Sequence, residues 1–541
     1  MRSTHKIRIF SSVKLAVLAL TFSLAAISAQ AQIPTPTVLY GFQNALTDAT
    51  SPWGDLAQGR DGNLYGTGTA SGTNHFGGVF RITPSGSETL LVSFPASWTN
   101  CQGLTLGTDG NFYGTCTQSG TLSKGLIYKV TPAGVLTDLH DFDCVLGDCF
   151  PYHAPPVLGA DGNFYGSTGN PNFGGNSIYR ITPAGVYKNL NTLSGVSNQP
   201  SPLTFGSDGN LYVTSTTGAG DVFRVTTAGA LKVIYNFVGA TGQNPNSGVI
   251  QGTDGKLYGT TANGAANGSG GIYKVSTGGA YTLLHTTDSF TSPANFNDLL
   301  QATDGNFYGA AQGGGTGNQG GLYELTSAGV FSSLLFTNQT VTGAFPSAPL
   351  MQHTNGTIFG TNSTGGSCSG CGGTFFSLNI GASPFISLVS PVPAGKEGST
   401  IGILGQGFAA ASVVKFGGVQ ATTVTLTGTT FLLATVPAGA LTGNVTVITG
   451  ATTLTSNKMF KVKPTLTSFT PPSGPVGTSV TITGTGLMQT SKVTFNGTIA
   501  AFTVNSDTQV TATVPAGATT GKIAVTTKGG TATSTTNFTV N

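Results

Sequence analysis

Only 8% of the 541 residues are charged and 81 are glycine, against the roughly 25% charged of ordinary soluble domains. The formal charge of +3 counts Arg2, Lys6, Arg8 and Lys14 near the amino terminus; without those four, 18 of the 22 basic residues remain against 19 acidic ones. That balance, with no Lys/Arg cluster, excludes a nucleic-acid partner, and the regular Val, Ile, Tyr and Phe strands exclude disorder.

In chain order, residues 1–31 read as a secretory signal peptide. The four bases precede an apolar run from Leu15 to Ile27, and Ala29-Gln30-Ala31 supplies small residues for cleavage. This run is too short to span a bilayer and no other stretch approaches that length, so no transmembrane segment is expected. The expectation is an exported protein, secreted or held at a bacterial cell surface.

A repeat then takes over. Asp61-Gly62-Asn63-Leu64-Tyr65-Gly66 returns with first residues Asp109, Asp161, Asp208, Asp254 and Asp304, and in degraded form at Asn355. The steps are 48, 52, 47, 46, 50 and 51 residues, a mean of 49. A fixed period of this size signals a repeat architecture. Asp-Gly between two apolar runs predicts a hairpin with a tight type I′ turn. Each repeat reads as four short strands; in the first, Asp55 to Gln58, Asn63 to Thr67, Val79 to Thr83 and Leu90 to Phe94. Four strands per unit is the size of a propeller blade. The seventh repeat stops at Phe375-Phe-Ser-Leu378 without its fourth strand, and a matching strand, Val38 to Phe42, stands ahead of the first. The fold expected over residues 36–381 is a seven-bladed β-propeller closed by that strand.

The unit Asp-Gly-Asn-[Leu/Phe]-Tyr-Gly, a Gly-rich loop, then [Ile/Val]-[Tyr/Phe]-[Arg/Lys]-[Ile/Val]-Thr-Pro-x-Gly resembles the GloVer tandem repeat of secreted bacterial proteins. The resemblance covers all seven units and implies no particular activity. A turn Asp in six repeats and a base in the third strand of five (Arg81, Lys129, Arg180, Arg224, Lys274) could form a ring of charges for binding. Residues needed in every blade are more simply turn chemistry and ties between blades.

Six cysteines in an exported chain point to disulfides, and position favours the local pairs Cys101–Cys116, Cys144–Cys149 and Cys368–Cys371. A zinc site at Cys368-Ser-Gly-Cys371 lacks two further ligands nearby. After Ala382 a second repeat begins. Gly398-Ser-Thr-Ile-Gly-Ile403, Val414-Lys-Phe416 and Val436-Pro-Ala-Gly439 return as Gly477-Thr-Ser-Val-Thr-Ile482, Val493-Thr-Phe495 and Val514-Pro-Ala-Gly517. These units, residues 383–462 and 464–541, read as two β-sandwiches. They resemble IPT/TIG domains, immunoglobulin-like modules of exported proteins, which implies a spacer or interaction role.

Linear chemistry is sparse. His75, His140, His153, His285 and His353 sit in different repeats without metal-ligand spacing, and no nucleophile elbow or phosphate loop is present. No metal or cofactor is implied. The off-repeat acidic loop Asp141 to Asp148, beside His140 and His153, is the one alternative candidate. The expected function is a non-enzymatic binding or adhesion protein whose propeller takes a polysaccharide or a cell-surface protein. The alternative is a propeller enzyme, a lyase or glycan hydrolase, with its site at the propeller mouth; Asp-Gly-Asn-x-Tyr is similar to the Asp-Gly-Asn-x-Trp turns of streptogramin-lyase-like propellers. Individuality should lie where the repeats differ, in their long connecting loops, so Trp98, Tyr152 and Phe290 are the expected binding aromatics.

Overall fold

The computed structural model describes residues 33–144, 149–151, 155–169, 176–192, 201–245, 247–266, 268–287, 293–314, 317–368, 370–389 and 393–541. The expected signal peptide lies outside them.

Each repeat forms one antiparallel sheet, or blade. In the first, Ala57–Gln58 pairs with Leu64–Ser71, then come Gly78–Ile82 and Glu88–Ser93. The seventh blade takes Met351–Gln352, Ile358–Asn362 and Cys371–Leu378 from the end of the repeat region and Thr37–Gln43 from its beginning. Blades one and six each carry an additional strand, Ala49–Pro52 and Pro293–Phe296, paired to the far half of the second strand.

The hairpin turn differs from the type I′ expectation. Gly62 N–H donates to Gly59 O and Gly59 N–H to Asn63 O, and within the loop only Gly62 has positive φ, at 78°. This is a three-residue loop, a tight turn followed by a left-handed glycine. The Asp side chain explains the choice. Asp61 accepts bonds from the Asn63 backbone N–H (3.2 Å), the Asn63 amide (2.6 Å) and the Tyr65 hydroxyl (2.9 Å), which pins the loop from inside. The base of the third strand stands at the register position opposite that tyrosine, as Arg81 does to Tyr65. The ring of charges is therefore blade architecture.

Two devices join neighbouring blades. Turn tyrosines stack on the next blade's phenylalanine, as Tyr65 on Phe112 (4.2 Å), Tyr113 on Phe164 (3.9 Å) and Tyr258 on Phe307 (4.2 Å). A glutamine three residues before the turn also accepts a backbone N–H from the preceding blade: Ser207 to Gln251, Thr253 to Gln301, Thr303 to Gln352 and Thr354 to Gln58. The last of these ties blade seven to blade one and repeats the others across the seam. The ring is closed by the same bond that builds it.

All three expected disulfides are formed. Cys101 and Cys116 face each other at one register position of the second blade.

Two sandwiches follow, each a four-stranded sheet on a five-stranded one. Ile403, Phe416, Val447 and Phe460 fill the first core, and Ile482, Phe495, Ile523 and Phe538 the second. The first sandwich sits on the turn end of the propeller. Arg60 lies over the Phe431 ring at 4.3 Å, the Thr430 hydroxyl donates to Arg60 O at 2.7 Å, and the Gln406 amide donates to Thr354 Oγ1 at 2.8 Å. Lys461 donates to Ser207 O on the other side of the ring.

Candidate functional site

Within each repeat the short first strand runs toward the Asp turn, so its opening residues lie at the opposite end of the blade. In six of the seven blades these residues, six to eight positions before the turn, line one cavity of about 320 Å³. Such a volume is at the small end of ligand clefts. At the sixth position before the turn, blades two to five and seven carry Gly103, Pro155, Pro202, Gly248 and Pro349. Blades one and six carry Asp55 and Asp298, each preceded by an aromatic at the eighth position, Trp53 and Phe296. Among the described residues these are the two blades with a separate additional strand, which ends at or beside the aromatic. Departure from the repeat in sequence and in structure coincide.

The cavity mouth therefore presents Trp53, Asp55 and Asp298 together with the amides of Gln102, Asn297 and Gln312. Trp53 is 38% exposed. Asp298 accepts the Gly248 N–H at 2.6 Å. Both carboxyls reach the cavity, yet protein surrounds them. Burial, reinforced by the charge of Asp298, pushes Asp55 up to about 7. Burial likewise pushes Asp298 up to about 6, against the pull of the Gly248 bond. Each carboxyl thus gives up its proton at a higher pH than an isolated aspartate would. The arrangement offers an aromatic face for stacking, carboxyls that accept or donate, and neutral amides around them. Among the described residues its lining has no Lys, Arg or His.

The residues expected from sequence to bind lie elsewhere. Trp98 is 8% exposed and packs against Phe94 and Tyr128, with ring centroids 6.2 and 5.6 Å away, in the core between blades one and two. That position corrects its expected place on an exposed face: it fills a gap between blades. Tyr152 and Phe290 lie outside the described residues. In the alternative acidic loop, Asp141 accepts two bonds from Thr121 at 3.0 Å, and His140 stacks on Tyr187 at 4.0 Å, joining outer strands of neighbouring blades. His153 and Asp148 lie outside the described residues. Among the described residues, no group of three or more His, Cys, Asp and Glu could hold a metal.

Fold and site together define a β-propeller with a polar, aromatic-lipped mouth, carried on two immunoglobulin-like sandwiches. The profile of the Gloeobacter/Verrucomicrobia repeat matches residues 26–175 and 151–376, and the IPT/TIG domain profile matches residues 384–461 and 464–540. The chain belongs to the Gloeobacter/Verrucomicrobia repeat family and carries two tandem IPT/TIG domains. No curated protein matches it. Among solved structures it is similar to a gluconolactonase from Xanthomonas campestris (14% identity, 54% of this chain and 93% of that one, TM-score 0.33). It is also similar to a puromycin hydrolase (13% identity, 67% and 62%, TM-score 0.41) and a fungal alcohol oxidase (12% identity, 94% and 100%, TM-score 0.42). Likeness at this level carries no argument about activity. No helix of the described residues is long and apolar enough to cross a membrane.

Proposed function

We propose that this is an exported, surface-type binding protein whose propeller takes a carbohydrate at the open mouth of its channel, with the IPT/TIG pair as its stalk. The observation that carries this reading is Trp53, an exposed indole set beside two carboxyls and three side-chain amides in one cavity. An aromatic face covers the apolar face of a sugar ring, while carboxyls and amides take its hydroxyls. Three disulfides suit an oxidising compartment outside the cytosol. Titration of the mature protein against a panel of soluble polysaccharides tests it. At least one should bind, and Trp53→Ala should weaken that binding about tenfold or more while leaving the melting temperature unchanged. Binding that survives Trp53→Ala would move the site off the mouth.

The Asp55–Asp298 pair favours a second reading, a glycan hydrolase in which one carboxyl acts as acid and the other as base. Incubation of the bound polysaccharide with protein would then release reducing ends, and Asp55→Asn would abolish the release.

A further inference from the structure

The turn end of the channel is covered. The first sandwich touches blades seven and one at Thr354 and Arg60. On the far side of the ring it touches blade four at Ser207, and Ala394 and Lys396 share a cleft with Ala160 of blade three. In a ring of seven, blades three and four lie opposite seven and one, so a body that touches both sides crosses the axis. The channel therefore has a floor. A polymer cannot thread it, and only a chain end can enter from the mouth.

The chemistry of the lining narrows the occupant. Two carboxyls line one cavity, with no base among its described lining residues. The fully buried Tyr273 hydroxyl of blade five, which feels the charge of Asp298, has no hydrogen-bond partner among the described residues. An anionic sugar would be repelled. A neutral one would leave the two carboxyls without a counter-charge. An ammonium group at the pair supplies that counter-charge and gains attraction from the adjacent indole face.

Building on the carbohydrate reading, we propose that the mouth recognises, end-on, the terminal residue of an amine-bearing glycan, a polymer of free glucosamine-type sugars. Calorimetric titration of the full mature chain tests this, with β-1,4-linked glucosamine oligomers from dimer to hexamer and their fully N-acetylated counterparts as probes. The free-amine oligomers should bind about tenfold tighter than the acetylated ones, with an affinity that stays flat from dimer to hexamer. The double variant Asp55→Asn/Asp298→Asn should erase the preference while its circular dichroism stays native and its melting temperature is no lower than wild type. Equal affinity for both series, or affinity that climbs steadily with length, overturns the inference. So does binding of some other polysaccharide with none to either series, although the carbohydrate reading then stands. No binding to any carbohydrate removes both.

Discussion

The Asp–Tyr couple inside each turn is one interaction used six times, and the seventh repeat exposes its logic. Tyrosine hydroxyls donate to the turn Asp at 2.7–3.0 Å in blades one to six. Blade seven replaces both partners at once, with Asn355 and Phe359. Losing the hydroxyl alone would leave a partly buried carboxylate oxygen short of a donor. Tyr212→Phe should therefore cost about 1–2 kcal/mol, and Asp208→Asn/Tyr212→Phe less than the sum of its single changes, as read from denaturant midpoints. Burial opposes ionisation of Asp161 and Asp208, but bonds from their Asn and Tyr neighbours outweigh it and hold both below the usual value. Their contribution is present above about pH 4 and is lost as pH falls through the lower folded value. Asp55 and Asp298 have the opposite sign. Their folded values are raised to about 7 and 6, so their contribution is complete below the unfolded value and is lost as pH climbs through that window. Asp55→Asn should consequently raise the melting temperature relative to wild type above about pH 7 and lose that advantage near pH 4; equal differences at both ends would refute the assignment.

At the scale of strands, closure rests on a segment far from its partners in sequence. Thr37–Gln43 covers the edge of Cys371–Leu378, and Gln58 takes the Thr354 N–H. Deleting residues 36–43 should expose that edge, lower the melting temperature and promote aggregation; a truncated chain that melts like the full one would sink the role of the seam. The period, the missing fourth strand and the cysteine pairs were all legible in the sequence, because turns and strand edges impose fixed residue types at fixed spacing. The turn type was not. Asp-Gly is compatible with both two- and three-residue loops, and side-chain bonds that no spacing reveals decide between them. The site was half legible. The candidate cavity does lie where repeats differ, but the sequence points first to long loops and to Trp98, whereas the difference that lines the cavity is one short pattern, aromatic-x-Asp, at Trp53 and Phe296. Aligning the repeats on the turn Asp and reading backwards displays it; what alignment cannot display is that blades one and six face one cavity.

At the scale of the whole molecule, one residue decides how firmly the sandwich sits on the ring. Immediately before the turn Asp the other repeats carry Thr108, Ala160, Ser207, Thr253, Thr303 and Thr354, all small, while the first carries Arg60. Its guanidinium donates to Thr108 O of blade two at 2.6 Å and lies over Phe431 of the sandwich at 4.3 Å, so one side chain joins two blades and a second domain. Burial lowers its pKa, although an arginine this far above neutrality stays charged. Since Thr occupies this position in several blades, Arg60→Thr restores the common pattern without disturbing the turn. It should weaken the interface by about 1–2 kcal/mol. Hydrogen exchange should then quicken at amides of the sandwich edge around Thr430 and Phe431 and at the blade-one turn, while the Leu64–Ser71 strand and the proposed binding at the Trp53 mouth stay as in wild type. Unchanged exchange would show that Thr430, Gln406 and Lys461 hold the domain by themselves. Faster exchange throughout blade one would show that Arg60 serves the blade and not the join.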